Sequence, residues 1–269
     1  MNALLFLIRK TLFNIIKKVF KKPIVLIGYI LIILFFGATI VGTMIMPSGS
    51  LRKGSPELFK AIMMLAMAFL YYTTMKLGVD KGSSYFRMAD VNLVFSAPIR
   101  PNHVLLYGFL KQLGGTFLLL FIAMFQIPNL KNNFVFNNSG IIMIMISIAV
   151  YALAYPLICM VIYSWASKTK ARKKLAKRII DGIFLGVILI FMYKLYEVRD
   201  LLKTVQEVFG STAAQYFPII GWTGSIGVAA VDGFTLPVIF GCSAMLLLII
   251  VMSIVIYRMN LDYYEDVLD

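Results

Sequence analysis

The residues able to do chemistry are few in this 269-residue chain, and their spacing does not bring them together. The single histidine, His103, stands beside Pro101 and Asn102 at a helix start, without the second histidine or cysteine cluster that a metal site needs. Cys159 and Cys242 both fall in long apolar runs, where they read as small packing residues and not as a disulfide or metal pair. The chain has no glycine-rich phosphate loop with its lysine, no His/Glu metal motif and no serine in a glycine-flanked elbow. Asp181, Lys194 and Asp232 stand singly at the ends of apolar runs, as boundary charges do, because a lone charge deep in lipid is costly. Ser147 and Ser164 read as helix-packing residues. The chain is therefore expected to catalyse nothing itself and to hold no cofactor or metal directly.

The elements carrying these residues belong to a bilayer. Hydrophobic residues make up 61% of the chain and charged ones 14%, and the mean hydropathy is +0.88, which no ordinary soluble surface shows. A helical span needs about 20 apolar residues, whereas a barrel strand needs about 10 with alternation. The runs here are long and continuous, so the reading is an all-α polytopic membrane protein. Six transmembrane helices are expected near residues 24–46, 58–78, 105–127, 140–165, 179–196 and 236–257. No cleavable signal peptide precedes them.

Ahead of the first run, residues 1–22 form an amphipathic elbow helix. Leu5, Ile8, Leu12, Ile15, Ile16 and Val19 share one face, and Lys10, Lys17, Lys18 and Lys21 the other. With no repeat or linker to divide the rest, residues 23–269 read as one permease-like membrane domain.

Lysines and arginines beside short loops set orientation. Arg9, Lys10, Lys17, Lys18, Lys21 and Lys22 precede the first run. Lys76, Lys81, Arg87 and Arg100 separate the second and third, and Lys168, Lys170, Arg172, Lys173, Lys174, Lys177 and Arg178 the fourth and fifth. With six crossings all three groups share one face, which is then cytoplasmic, and both termini lie there. The net charge of +14 follows this alternation and forms no basic domain with aromatic platforms, so nucleic acid is not the partner and membrane lipid is.

Two segments fit neither loop nor span. Residues 201–233 are too apolar for a loop and interrupted by Pro218, Gly221, Trp222, Gly224, Gly227 and Gly233. A pair of short re-entrant helices in the outer leaflet is expected, with Phe217, Pro218, Gly221 and Trp222 at its centre and Tyr216, Phe217 and Trp222 seeking the interface. The competing reading is a seventh span across 213–231. Residues 85–102, between spans two and three, leave the membrane at Asp80, Lys81 and Gly82, present Asp90, Val91, Asn92, Leu93, Val94 and Phe95, and turn at Pro98, Ile99, Arg100 and Pro101. Such a half-apolar cytoplasmic knuckle is either packed on its own bundle or a docking peg. As a peg it is a coupling helix for a soluble ATPase, Leu93, Val94 and Phe95 giving the contact and Asp90 and Arg100 the orientation.

The stretch ADVNLVFSAPIRPNHVLLYGFLKQ, residues 89–112, resembles the corresponding segment of the putative ABC exporter family of bacterial membrane permeases. FPIIGW at 217–222 and DYYEDVL near the carboxyl terminus are similar to that family as well. The resemblance implies the membrane subunit of an exporter in the bacterial plasma membrane, without its own nucleotide site. An ABC-type ATPase carrying ATP and Mg would dock on Asp90–Arg100, with a secondary cytoplasmic contact at Lys170, Arg172 and Lys173. Family members run longer than this chain, which is expected to be either a half-size permease or a shortened version of a longer subunit, working as a homodimer or paired with a second membrane half. The cargo expected is peptide-like or amphipathic, since the spans lack conspicuous charged sites. The alternatives are a multi-spanning enzyme acting on lipid, which lacks the acids or metal it needs, and a non-transporting immunity or sensor subunit.

Overall fold

The computed structural model describes residues 54–81, 113, 116, 126, 129–131, 133–136 and 139–258, together with Leu34 and Ala38. The chain divides into two compact units, Met1–Leu51 with Phe125–Asn132, and Arg52–Met124 with Asn133–Asp269. In the first, Leu34, Ala38, Gln126, Asn129, Leu130 and Lys131 are helical, and Asn129 Nδ2 donates to Gln126 Oε1 at 3.4 Å. The second unit holds all the elements below. The elbow at 1–22, the first predicted span and the coupling segment 85–102 lie outside the described residues, save for Leu34 and Ala38.

Every described element is helical: α1 Pro56–Lys81, α2 Gly140–Ala166, α3 Lys170–Val198, α4 Leu201–Phe209, α5 Thr212–Gln215, α6 Ile220–Asp232 and α7 Leu236–Arg258. Four of them, Pro56–Asp80, Gly140–Ala166, Lys170–Val198 and Leu236–Arg258, are long and apolar enough to cross a membrane. They coincide with the runs expected at 58–78, 140–165, 179–196 and 236–257. Local chemistry sets their ends. Proline opens α1, where a missing N–H costs nothing, and Ser55 Oγ accepts from Leu58 N at 3.2 Å. Thr169 caps α3 through Arg172 N, and Arg199, at φ 55°, closes it in the left-handed conformation. Asp200 then caps α4, accepting from Leu202 N and Lys203 N at 3.0 and 3.3 Å.

Side-chain pairs give the helix directions. Phe59 of α1 stacks near Phe136, just before α2, and Gly78 lies against Cys159, so α1 and α2 run the same way. Lys177 pairs with Asp80 and Asp181 with Lys76, while Phe184 meets Tyr72, so α3 runs back. Parallel α1 and α2 require the chain between them to return the length of α1, about 39 Å at ~1.5 Å per residue. Gly54 N donates to Asn133 O at 2.8 Å, which places residue 133 at the end where α1 starts. On the returning segment, Thr116 is helical and buried, and its hydroxyl reaches Leu113 O at 2.9 Å and Ala152 O at 3.4 Å, midway along α2.

Two expectations need correction, and one competing reading falls. The basic cluster 168–178 is not a loop: only Ser167, Lys168 and Thr169 separate α2 from α3, and Lys170–Arg178 are the first turns of α3. Lysine and arginine are good helix formers, and the threonine cap starts the helix early. Residues 201–233 form three helices, not two, and α6 runs unbroken through Gly221, Gly224 and Gly227. A seventh crossing at 213–231 does not occur. Gln206 Nε2 donates to Ser55 Oγ at 3.0 Å and Asp232 pairs with Lys60 at 2.7 Å, so the segment leaves and regains the same end of α1.

Candidate functional site

Between those two anchors the segment is a hairpin whose inner arm, α6, is almost wholly buried against α1, α2 and α7. Tyr71, past the midpoint of α1, donates to Thr223 Oγ1 at 2.8 Å, since the Thr223 hydroxyl proton goes to Ile219 O. Ser147 Oγ of α2 donates to Thr223 O at 2.7 Å. One turn further along α1, Thr74 Oγ1 donates to Leu70 O and meets Tyr151 OH at 2.8 Å, and the Tyr71 and Tyr151 rings sit edge to face at 5.1 Å. This buried polar ladder ties α6 to both parallel spans.

Glycines let the backbones approach. A Cβ on Gly241 of α7 would stand 2.6 Å from Trp222 O, and one on Gly140 2.8 Å from Ala230 O. Ser147 and Met63 close over Gly227, and Met64 Sδ over Gly224. The glycines expected to interrupt the segment are thus the residues that permit its burial.

The turn into α6 is strained. Ile219 has φ 65° and ψ −59°, and Ile220 N donates to Pro218 O at 2.7 Å, which is a γ-turn of the rare positive-φ kind. For a β-branched residue that conformation costs about 1–3 kcal/mol. Beside this turn Tyr216 and Trp222 flank Phe240 at 5.6 and 6.1 Å. Trp222 Nε1 and Gln215 Oε1 are buried there without a partner. Phe217 is exposed and lines a half-open cleft of about 390 Å³ bounded by α1, α3 and the outer arm of the hairpin.

The opposite end of the helices is the basic one. Lys170 and Arg172 are exposed and Lys173 is half-buried on the first turn of α3. Below them Val79, Ala166, Ala176 and Ile180 form a small core. Lys177 pairs with Asp80 at 2.5 Å, and Lys76 pairs with Asp181 at 2.6 Å while lying 5.7 Å from the Tyr72 ring centre. At the far end of α3, Lys194 pairs with Glu197 at 2.7 Å. Each boundary charge singled out in the sequence therefore has a partner. Cys159 and Cys242 are free thiols, and Ser164 Oγ donates to Val161 O at 2.9 Å.

Of the residues expected to carry function, the structure brings Gly221 and Trp222 into the hairpin packing and leaves Phe217 and Pro218 exposed at its inner turn. Lys170, Arg172 and Lys173 lie together at the basic end. Asp90, Val91, Asn92, Leu93, Val94, Phe95, Pro98, Ile99 and Arg100 fall outside the described residues. The sequence reading missed Tyr71, Thr223 and Ile219, although hydroxyls in long apolar runs are the signal of such a ladder. Among the described residues, no three His, Cys, Asp or Glu side chains gather as a metal site would.

The ladder makes a quantitative expectation. Thr223→Val leaves the Tyr71 hydroxyl buried without its acceptor and is expected to lower stability by about 1–2 kcal/mol, read as thermal unfolding in detergent. Adding Tyr71→Phe should restore part of that loss, and additive losses would show that the bond contributes nothing.

No curated protein and no solved structure matches the chain. One family model does, over residues 1–269, and its description is putative ABC exporter. A match along the whole sequence, on a chain with at least four membrane-crossing helices, has one reading: the protein belongs to the putative ABC exporter family.

Proposed function

We propose that this chain is the membrane half of an exporter, with six spans and both termini in the cytoplasm, driven by a separate ABC-type ATPase. The observation that carries the proposal is the family match over residues 1–269. The architecture supports it. Lys81 ends α1 at the basic end of the helices, so the chain enters 85–102 on the side that the positive charges assign to the cytoplasm. There Asp90–Arg100 docks on the ATPase as a coupling helix, and Lys170, Arg172 and Lys173 offer a second contact from α3. The hairpin 201–233 is re-entrant from the outer side. ATP binding in the partner draws two ATPases together and switches two such membrane halves between inward- and outward-facing packing. The cargo is amphipathic or peptide-like.

The test is ATP-dependent movement of a fluorescent amphipathic peptide into inverted vesicles that contain this chain and its ATPase. Transport that persists without ATP, or is absent with both proteins folded and bound, rejects the exporter reading. Orientation is checked separately in a variant lacking both native cysteines. Lys203→Cys should react with an impermeant maleimide on intact cells, whereas Lys174→Cys should react only after the membrane is opened.

A further inference from the structure

We propose that the cleft between α1, α3 and the hairpin holds one acyl chain of a phospholipid from the outer leaflet, with the lipid phosphate at Lys194. The walls are apolar: Met64 and Ala68 from α1, Ile183 and Val187 from α3, and Ala214 and Ile220 from the hairpin. Among the described residues, the charged ones lining it are Lys194 and Glu207, and both belong to the end away from the basic cluster. The volume of about 390 Å³ lies within the roughly 300–1,000 Å³ typical of small-molecule sites.

Length selects the occupant. From Ile183 to Lys194 the cleft wall rises about 16 Å at ~1.5 Å per residue. That is the depth of one leaflet, half of a hydrocarbon core about 30 Å thick. A chain reaching from headgroup level to the bilayer centre therefore fits it end to end. Charge agrees with this choice. Lys194 gives one proton to Glu197 at 2.7 Å and has others for a phosphate oxygen, and Glu207, which also lines the cleft, supplies a carboxylate for the ammonium of a zwitterionic headgroup. The lips are open to lipid, since Ile183, Ile190 and Phe217 are exposed. The site stands whether or not the chain exports anything, because it concerns a resident lipid.

The experiment reconstitutes the purified chain in phosphatidylethanolamine vesicles containing a phosphatidylethanolamine with a diazirine on its acyl chain. After illumination, label is expected mainly on peptides containing Ile183–Ile190 and Val208–Ile220. Ala68→Trp and, on the other wall, Ala214→Trp should each lower that labelling about tenfold at an unchanged unfolding temperature. Lys194→Gln, which leaves the walls intact, should lower labelling by the phospholipid but not by a diazirine-bearing diacylglycerol. Three results overturn the proposal. One is equal label on the exposed Leu246, Leu247 and Ile250 of α7, and another is labelling indifferent to both tryptophans. The third is an Ile190→Cys variant that oxidises quantitatively to a dimer, which means a second copy covers the cleft.

Discussion

Phe95→Asp is expected to abolish recovery of the ATPase with the membrane chain while insertion and yield stay normal. Phe95 ends the short apolar run Val91–Phe95, which Pro98 and Pro101 isolate from the helix that follows. A peg in a groove concentrates its binding energy in one or two such side chains, and truncating a central aromatic commonly costs about 2 kcal/mol or more. Putting a carboxylate there adds the desolvation of a charge, so a loss beyond about thirtyfold in affinity follows from that minimum alone. Leu93→Asp should behave alike. Lys203→Ala, on α4 at the opposite end of the helices, is the control and should leave the complex intact. Full recovery of the ATPase by Phe95→Asp at normal expression removes the docking assignment, and with it the route by which ATP reaches the spans.

The second large effect concerns the hairpin. Gly221→Ala puts a methyl 2.7 Å from Gln215 O and closer still to Ala214 O. Both are main-chain atoms that no rotamer change can move, so α5 and α6 must separate. A loss of about 3 kcal/mol is expected, at the upper end for an overpacked core. For a chain of this size that lowers the unfolding temperature by roughly 6–12 °C. The same substitution at Gly186 meets nothing within 4 Å and replaces a poor helix former in α3. It should be neutral or add up to about 1 kcal/mol. Equal behaviour of the two variants would mean that α6 is not seated as described.

How much of this was legible depended on which physical signal carried it. Long apolar runs are one-dimensional, so four spans matched the helices within a few residues, except where Thr169 starts α3 earlier than its first apolar stretch. The return of 201–233 to its point of entry was only half legible. Its apolar, glycine-rich composition marked it as neither loop nor span, but whether it crosses is decided by partners far away in sequence, Gln206 on Ser55 and Asp232 on Lys60. The glycines misled because a glycine that breaks a helix and one that lets two helices touch look the same in a string of letters. Tyr216 and Trp222 were ambiguous in the same way, since an aromatic with a polar tip suits an interface or a crowded turn equally well. The ladder of Tyr71, Thr223 and Ser147 joins three helices at wide separation; hydroxyls in apolar runs mark its members, but nothing local says which of them meet.

The two ends of the helices are fastened by different means. Where α1 begins, main chain meets main chain at Gly54 and Asn133, an amide meets a hydroxyl at Gln206 and Ser55, and Lys60 grips Asp232 in a largely shielded spot. At the basic end, beside the small core of Val79, Ala176 and Ile180, the polar links between α1 and α3 are Asp80–Lys177 and Lys76–Asp181, whose members are about a third to a half open to solvent. Pairs so placed are weak and yield to salt. Under load the molecule is a pair of tongs riveted at one tip and magnetised at the other, and it is the magnetised tip that parts first.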